Sequence, residues 1–132
     1  MARLNKEIVL AFLDASERND REAMKELLHP QVRIIEADSL PYGGVFEGAE
    51  GFIDLIRRVF STWRDTRLSV QQVLADGDHV VILAQMSGRG QAADKAFSMP
   101  IAEVWLLEDR KIKEVRPFYF DTKLLHDAHF GP

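Results

Sequence analysis

The sequence contains no cysteine among its 132 residues. It therefore carries no disulfide framework, no thiolate metal site and no cysteine nucleophile. We expect a cytoplasmic protein, since that absence fits a compartment in which disulfides are rare. Apolar runs are short, and none approaches the roughly 20 residues that are needed to cross a bilayer. Charged side chains interrupt the N-terminal residues too often for us to expect a signal peptide there.

Clusters of basic residues are equally scarce. The 17 lysine and arginine residues are scattered, the longest run is Arg57-Arg58, and the formal net charge is −4. Binding to nucleic acid or to an anionic membrane requires a basic patch, so we expect neither partner. The composition is that of a globular protein, with 46% hydrophobic and 29% charged residues. Because no repeat or linker interrupts the chain, we predict a single domain over residues 1–132.

The first half of the chain has helical periodicity. Apolar residues at intervals of three and four predict amphipathic helices over 3–17 and 49–63. Between them, Asp20 or the asparagine before it can cap a second helix, which Pro30 stops. Alternation over 32–36 then predicts a short strand, and the glycines that follow it predict an irregular loop.

The second half of the chain is strand-like. Two pairs of alternating segments flank short turns, of which Asp76-Gly77-Asp78 is a strong hairpin signal. Pro100 falls inside one strand, and we expect an edge position or a bulge there because proline cannot donate to a ladder. Helices followed by closely linked strands predict an α+β fold with a bent antiparallel sheet. The four later strands are predicted over 67–75, 79–88, 96–107 and 111–120.

This element order, α-α-β-α-β-β-β-β, resembles that of the NTF2-like superfamily. Three segments resemble its SnoaL-like, ketosteroid isomerase-related members, namely SLPYGGVFEGAEGFIDLIRRVF, FSMPIAEVWLLEDRKI and IKEVRPFYFDTKLL. The resemblance implies a cone in which three N-terminal helices pack on a strongly curved mixed or antiparallel sheet. Such proteins include isomerases, polyketide cyclases, epoxide hydrolases, dehydratases and members without a known reaction, so the fold alone does not give the function.

In such a cone the concave face of the sheet lines a pocket, and strand alternation proposes which side chains point inward. The resulting set is mostly apolar with a few acids, which is typical of a pocket for a hydrophobic small molecule. It consists of Val32, Ile34 and Glu36 on the first strand, Ala102, Val104 and Leu106 on the fourth, and Val115, Pro117, Tyr119 and Asp121 on the last.

Glu36 is the strongest catalytic candidate, and Asp38 follows it by two residues. The resemblance implies a carboxylate near the end of the first strand that moves a proton between carbon atoms, and Glu36 falls at that position. An apolar cavity raises the pKa of a carboxylate, which suits a general base working near neutrality. The alternative is a strand-end acid that faces solvent or pairs with a neighbour.

The remaining isomerase machinery is not matched. The resemblance implies hydrogen-bond donors on the first helix and the fourth strand, where this chain has Phe12 and Ala102. Neither side chain can donate, so we do not expect steroid isomerisation. Asp121 shares a strand face with Tyr119 and is the second catalytic candidate, with the capping of a local turn as its alternative. The Asp-Arg-Asp group of epoxide hydrolases has no persuasive counterpart, because Arg116 falls on the opposite face.

The other candidates are expected to have supporting roles. Tyr42 and Trp63 are expected to pack in the core or at the pocket rim, and Glu103 to face away from the pocket. His126 and His129 could share a helix face, but two histidines without a third ligand are a weak metal signal. We predict no metal and no other cofactor. The expected ligand contacts are Phe12, Asp38, Tyr42, Trp63, Ala102, Val104 and Tyr119.

Two functions remain open at this point. The first is a small cofactor-independent enzyme in which Glu36 or Asp121 moves a proton on a hydrophobic carbonyl compound, giving isomerisation, cyclisation or dehydration. The second is a non-catalytic domain that binds an apolar metabolite or forms a dimeric scaffold. In either case we expect a homodimer, because the convex sheet face would otherwise leave apolar area in water. The candidates for that face are Val81, Leu83 and Trp105.

Overall fold

The computed structural model describes residues 4–91 and 94–131, which form helices packed on one curved, mixed sheet. The first half contains α1 (Asn5–Glu17), α2 (Arg21–Glu26), β1 (Leu28–Glu36), β2 (Gly44–Glu47) and α3 (Gly48–Thr62). The second half contains β3 (Arg64–Asp76), β4 (His79–Arg89), β5 (Ala96–Glu108), β6 (Lys111–Tyr119) and α4 (Thr122–Phe130). The predicted fold class is confirmed.

Two elements were not predicted. β2 lies in the glycine-rich segment that was expected to be an irregular loop, and it pairs antiparallel with the end of β1. Gly44 begins β2 with a φ of 118°, a backbone region that glycine adopts without strain. α4 follows the last strand and begins after Asp121, whose Oδ1 accepts a hydrogen bond from the Leu124 amide at 3.1 Å. β2 is too short to display alternation, and α4 begins where strand alternation was extrapolated.

The strand order is β2-β1-β6-β5-β4-β3, and β1 runs parallel to β6 while the other neighbours are antiparallel. The last strand, β6, lies in the middle of the sheet beside β1, so the first strand and the last are adjacent. The register shifts between Val70 and Gln72 in β3 and between Leu106 and Leu107 in β5. Such irregularities bend strands, and the sheet curves without closing.

Pro100 lies in β5 at a point where the strand has only one full partner. It is opposite Gln85 of β4, whereas pairing with β6 begins one residue later, at Ile101 and Tyr119. The Pro100 carbonyl still accepts a hydrogen bond from the Phe120 amide at 3.2 Å. The proline therefore occupies a local edge, where its missing N–H breaks no ladder.

α1 and α3 cover the concave face of the sheet. The buried side of α1 includes Phe12, whose ring centroid is 4.9 Å from that of Phe52 on α3 and 5.7 Å from that of Trp105 on β5. Aromatic contacts at these distances stabilise a core beyond the area they bury. They join both helices to the sheet and leave a cavity beside them.

Candidate functional site

A cavity of about 150 Å³ lies between α1, α3 and the concave face of the sheet. This volume is comparable with that of cavities that take up a benzene-sized molecule. Its polar lining consists of Ser16, Glu36, Thr66, Glu103 and Tyr119, and its other lining residues are apolar. Within the described residues, no lysine, arginine or histidine lines the cavity. Among the residues that the structure describes, the charges that its walls can supply are therefore negative.

Glu36 reaches the cavity from the end of β1 and is 5% exposed. Burial raises the pKa of its carboxyl group to about 8, because the charged form loses its hydration. A hydrogen bond from the Tyr119 hydroxyl, 3.2 Å from Glu36 Oε1, opposes this rise, while the charge of Glu103 adds to it. The group therefore holds its proton at a pH where an exposed glutamate is ionised.

Glu103 reaches the same cavity from β5. Burial raises its pKa to about 7, and the indole of Trp105, two residues on and on the same face, partly opposes the rise. Glu103 Oε1 and Trp105 Nε1 are both buried, and within residues 4–91 and 94–131 neither makes a hydrogen bond of good geometry, although the indole lies close enough to lower the pKa of Glu103. An unpartnered buried polar atom is costly, so these atoms are candidates for contact with a ligand.

The sheet register sets the spacing of the two acids. Ile34 of β1 is opposite Val115 of β6, and Pro117 of β6 is opposite Glu103 of β5. Two residues beyond Ile34, Glu36 therefore falls beside Pro117, and one strand separates the acids. At about 4.8 Å per strand, their backbones are roughly 10 Å apart. A small molecule between them can meet both carboxyl groups.

A chain of hydrogen bonds links Trp63, Tyr42 and Tyr119 to Glu36. Trp63 Nε1 donates to the Tyr42 hydroxyl at 3.0 Å, and the hydroxyls of Tyr42 and Tyr119 are 3.3 Å apart. Tyr119 then donates to Glu36. Burial raises the pKa of Tyr42 to about 12 and that of Tyr119 well above its ordinary value. Both phenols therefore keep their protons at physiological pH.

Of the residues expected to act in catalysis or to contact the ligand, the structure places three at the cavity, namely Phe12, Glu36 and Tyr119. Three further members of the predicted inward set also line it, namely Ile34, Val115 and Pro117. Tyr42 and Trp63 are buried but are not among its lining residues, and Tyr42 lies within hydrogen-bond distance of Tyr119, which is one of them. Asp38 is exposed after the end of β1 and does not line the cavity either.

The predicted inward face of β5 was wrong by one residue. Ala102 and Val104 do not line the cavity, nor does Leu106, whereas Ile101, Glu103 and Trp105 do. The large apolar side chains of β5 occupy its odd-numbered positions, including Phe97, Met99 and Leu107, and these are buried. The core takes that face because it buries more apolar area, and Glu103 is carried inward with it. Trp105 was expected on the convex face of the sheet, and it lies on the cavity side instead.

Asp121 is also placed away from the cavity. Its side chain caps α4 and is exposed, which is the alternative reading of that residue. The strand alternation that would have turned it inward ends with β6 at Tyr119. The second acid of the site is instead Glu103, which the sequence analysis assigned to the outside. The apolar residues at odd positions of β5 were the signal that could have identified it.

One group of possible metal ligands lies outside the cavity. Atoms of His29, Glu108 and Asp109 are all within 4.8 Å of one another. Nδ1 of His29 accepts a hydrogen bond from the Gln31 amide at 3.0 Å, so Nε2 carries the proton of the neutral ring. That nitrogen is 3.0 Å from Glu108 Oε2. The Gln31 amide therefore already occupies Nδ1, and only Nε2 faces the two acids.

The chain resembles known proteins in both sequence and structure. The family model for the SnoaL-like domain matches residues 9–115. An NTF2-like protein from Burkholderia thailandensis is 26% identical, with a TM-score of 0.87 over 96% of this chain and 98% of that one. A protein from Jannaschia, named for its likeness to SnoaL-like polyketide cyclases, is 22% identical, with a TM-score of 0.82 over 100% and 99%.

A third solved structure contains a small molecule. A protein of ketosteroid isomerase-like fold from Catenulispora acidiphila, in complex with trimethylamine, is 21% identical, with a TM-score of 0.72 over 86% of this chain and 85% of that one. At these identities the likeness shows the fold. No curated protein matches the chain. In the described part of the chain, no helix is long and apolar enough to cross a membrane.

Proposed function

Since the chain belongs to the SnoaL-like domain family, we propose that its cavity is the active site of a cofactor-independent enzyme that moves a proton on a hydrophobic carbonyl compound. The observation that carries the proposal is the pair of carboxyl groups, Glu36 and Glu103, which face one apolar cavity and whose pKa values are raised to about 8 and about 7. Strongly shifted pKa values in a cleft mark candidate catalytic groups.

The two carboxyl groups can divide the work of acid and base. Two coupled acids titrate in two steps that belong to the pair, and between those steps the pair holds one proton. Because the charge of Glu103 raises the pKa of Glu36, we assign Glu103 the role of base and Glu36 that of acid. This assignment reverses the role that the sequence analysis gave to Glu36.

The proposed step begins when the Glu103 carboxylate removes a proton from the carbon atom next to a carbonyl group. The electron pair of the broken C–H bond moves to the carbonyl oxygen, which becomes an enolate and accepts a hydrogen bond from protonated Glu36. Return of the proton from Glu103 to another carbon completes an isomerisation. Attack of the enolate on a second carbonyl gives a cyclisation, and the Glu103 proton then passes to the new alkoxide oxygen. A β-hydroxyl group that takes up the Glu103 proton leaves as water, which gives a dehydration.

The lining also limits the substrate class. An anionic ligand would meet two acids and no basic lining residue within the described chain, so we infer that the substrate is neutral in the cavity. The polyketide cyclase likeness in the name of the Jannaschia protein supports a carbonyl substrate. The apolar lining and the volume of about 150 Å³ favour a compact ring.

Deuterium exchange tests this function without knowledge of the natural substrate. The protein would be incubated in D₂O with cyclohex-3-enone and 2-indanone, and the loss of α-proton signals followed by NMR. We expect exchange above the rate in matched buffer, and a decrease of about 100-fold or more in both Glu36→Gln and Glu103→Gln. Glu17→Gln is the matched control, since Glu17 is exposed and does not line the cavity. Exchange that persists in both cavity variants would refute the proposal.

A second candidate function is the non-catalytic binding of an apolar amine. It is favoured by the same negative lining, because the rings of Phe12, Phe52 and Trp105 surround it and an ammonium group is attracted to carboxylates and aromatic faces. The trimethylamine in the Catenulispora protein supports this class. Calorimetry with trimethylamine at pH 6 and pH 8 would test it against tert-butanol, a neutral molecule of similar shape. Binding that strengthens at pH 8, with no ketone exchange, would favour this function over the enzyme.

A further inference from the structure

The hydrogen-bond chain behind Glu36 can run in only one direction. The indole N–H of Trp63 is a donor and never an acceptor, so the Tyr42 oxygen must accept from it. Each tyrosine hydroxyl has a single proton to donate. The Tyr42 hydroxyl can therefore donate a hydrogen bond to the Tyr119 oxygen, and the Tyr119 hydroxyl can donate one to Glu36. Every member of the chain is then satisfied.

The opposite direction leaves a buried proton without an acceptor. If Glu36 donated to Tyr119 and Tyr119 to Tyr42, the Tyr42 oxygen would accept from both Trp63 and Tyr119. Its own proton would then need a third partner, and the described residues provide none. Tyr42 is 2% exposed, so solvent does not readily take that place. A mixed arrangement, in which the Tyr119 oxygen accepts from both Tyr42 and Glu36, would likewise leave the Tyr119 proton without an acceptor among the described residues. Because an unmet buried donor is disfavoured, the direction from Trp63 to Glu36 prevails.

This direction distinguishes the two oxygens of the Glu36 carboxyl group. Oε1 accepts from Tyr119 whether Glu36 is ionised or protonated. When Glu36 is protonated, its proton is therefore on Oε2, which has no hydrogen bond in residues 4–91 and 94–131 and is not among their buried unpartnered atoms. Oε2 is the oxygen left to meet a ligand in the cavity.

We propose that Trp63 and Tyr42 are positioning residues that act through Tyr119 to hold Glu36 Oε1, so that Oε2 alone exchanges a proton with the substrate. The proposal rests on the proposed function, since it assigns an atom to the acid of that reaction. It adds two residues that do not line the cavity. Their contribution is directional: Trp63 fixes which way the hydroxyls of Tyr42 and Tyr119 point.

The test is an NMR titration of the Glu36 carboxyl group in protein labelled with ¹³C at glutamate Cδ. The Glu103→Gln variant serves as parent, because it removes the coupled partner from the same pH range. Tyr119→Phe removes the hydrogen bond to the charged form and should lower the acid dissociation constant of Glu36 by about tenfold. Tyr42→Phe and Trp63→Phe should lower it by progressively less, since each leaves the bonds nearer to Glu36 in place.

Phe97→Leu is the matched control. Phe97 packs against Trp63, with ring centroids 5.1 Å apart, but donates no hydrogen bond and does not line the cavity. The Phe97→Leu variant should leave the titration midpoint of Glu36 unchanged, and it reports the effect of disturbed packing around Trp63. Thermal melting of each variant would verify folding. A midpoint that is the same in the parent and in Tyr42→Phe, or that moves equally in Phe97→Leu, would overturn the directional chain.

The exchange assay separates this proposal from the proposed function. In the wild-type background, Tyr42→Phe should move the alkaline limb of the pH–rate profile to higher pH, because the rate falls there as Glu36 loses its proton. Exchange that depends on Glu36 but has the same profile in Tyr42→Phe refutes the positioning role and leaves the enzyme function intact. If the midpoints shift as expected but no ketone exchanges, the enzyme function fails and Oε2 loses its assigned role.

Discussion

Replacing Glu36 by glutamine should change how the stability of the protein depends on pH. The folded state raises the pKa of Glu36 to about 8 from the ordinary value of 4.5. Below pH 4.5 both the folded and the unfolded states carry the proton, and burial of the neutral carboxyl group has no ionisation cost. As the pH rises above 4.5 the unfolded chain ionises and the folded protein does not, so stability is lost progressively until the pH reaches about 8.

The size of the effect follows from that window. Each unit of pH between the two pKa values changes the free energy of unfolding by about 1.4 kcal/mol for one such group. From pH 5 to pH 7, Glu36 should therefore remove about 2 to 3 kcal/mol of stability, a sizeable part of the roughly 5–15 kcal/mol that is typical of a domain. Glutamine cannot ionise, and its amide oxygen can still accept from Tyr119, so Glu36→Gln should be free of this loss.

Urea unfolding at pH 5, 6, 7 and 8 measures the difference directly. The gap between Glu36→Gln and wild type should widen in favour of the variant as the pH rises, and it should level off above pH 8. Glu17→Gln, which changes an exposed glutamate, should show no widening gap. A constant difference between Glu36→Gln and wild type over this range would mean that Glu36 ionises freely in the folded protein, and the reasoning about the cavity would fail.

Three further predictions concern other parts of the molecule. Asp121→Ala should lower the free energy of unfolding by about 1 kcal/mol through loss of the α4 cap, and ketone exchange should stay at the wild-type rate; a large loss of exchange would return Asp121 to the site. Gly90→Ala should lower the melting temperature, because its methyl group would collide with the Ala128 carbonyl oxygen; an unchanged melting temperature would contradict this packing. Leu83 lies opposite Ala102 on the sheet face away from the cavity, where we propose the homodimer interface; sedimentation should find a micromolar dimer that Leu83→Lys converts to monomer, and a monomeric wild type would contradict the interface.

The local pattern of the sequence determined most of the fold. The periodicity of α1 and α3, the Asp76-Gly77-Asp78 turn and the alternation of the later strands depend on short-range preferences, so they can be identified without tertiary information. The position of Glu36 at the inward face of β1 belongs to the same class, because Val32 and Ile34 fix the alternation there and both are buried.

Only the tertiary structure decided the second acid and the function of the tyrosines. Whether Glu103 or Ala102 faces the cavity depends on which side of β5 packs against the helices, and a one-residue change of register reverses every side chain. The chain from Trp63 through Tyr42 and Tyr119 to Glu36 joins residues that are distant in sequence, and the two tyrosines alone are 77 positions apart. Local preferences carry no information about such contacts, since these side chains meet only when β1, the segment between β1 and β2, β6 and the end of α3 come together.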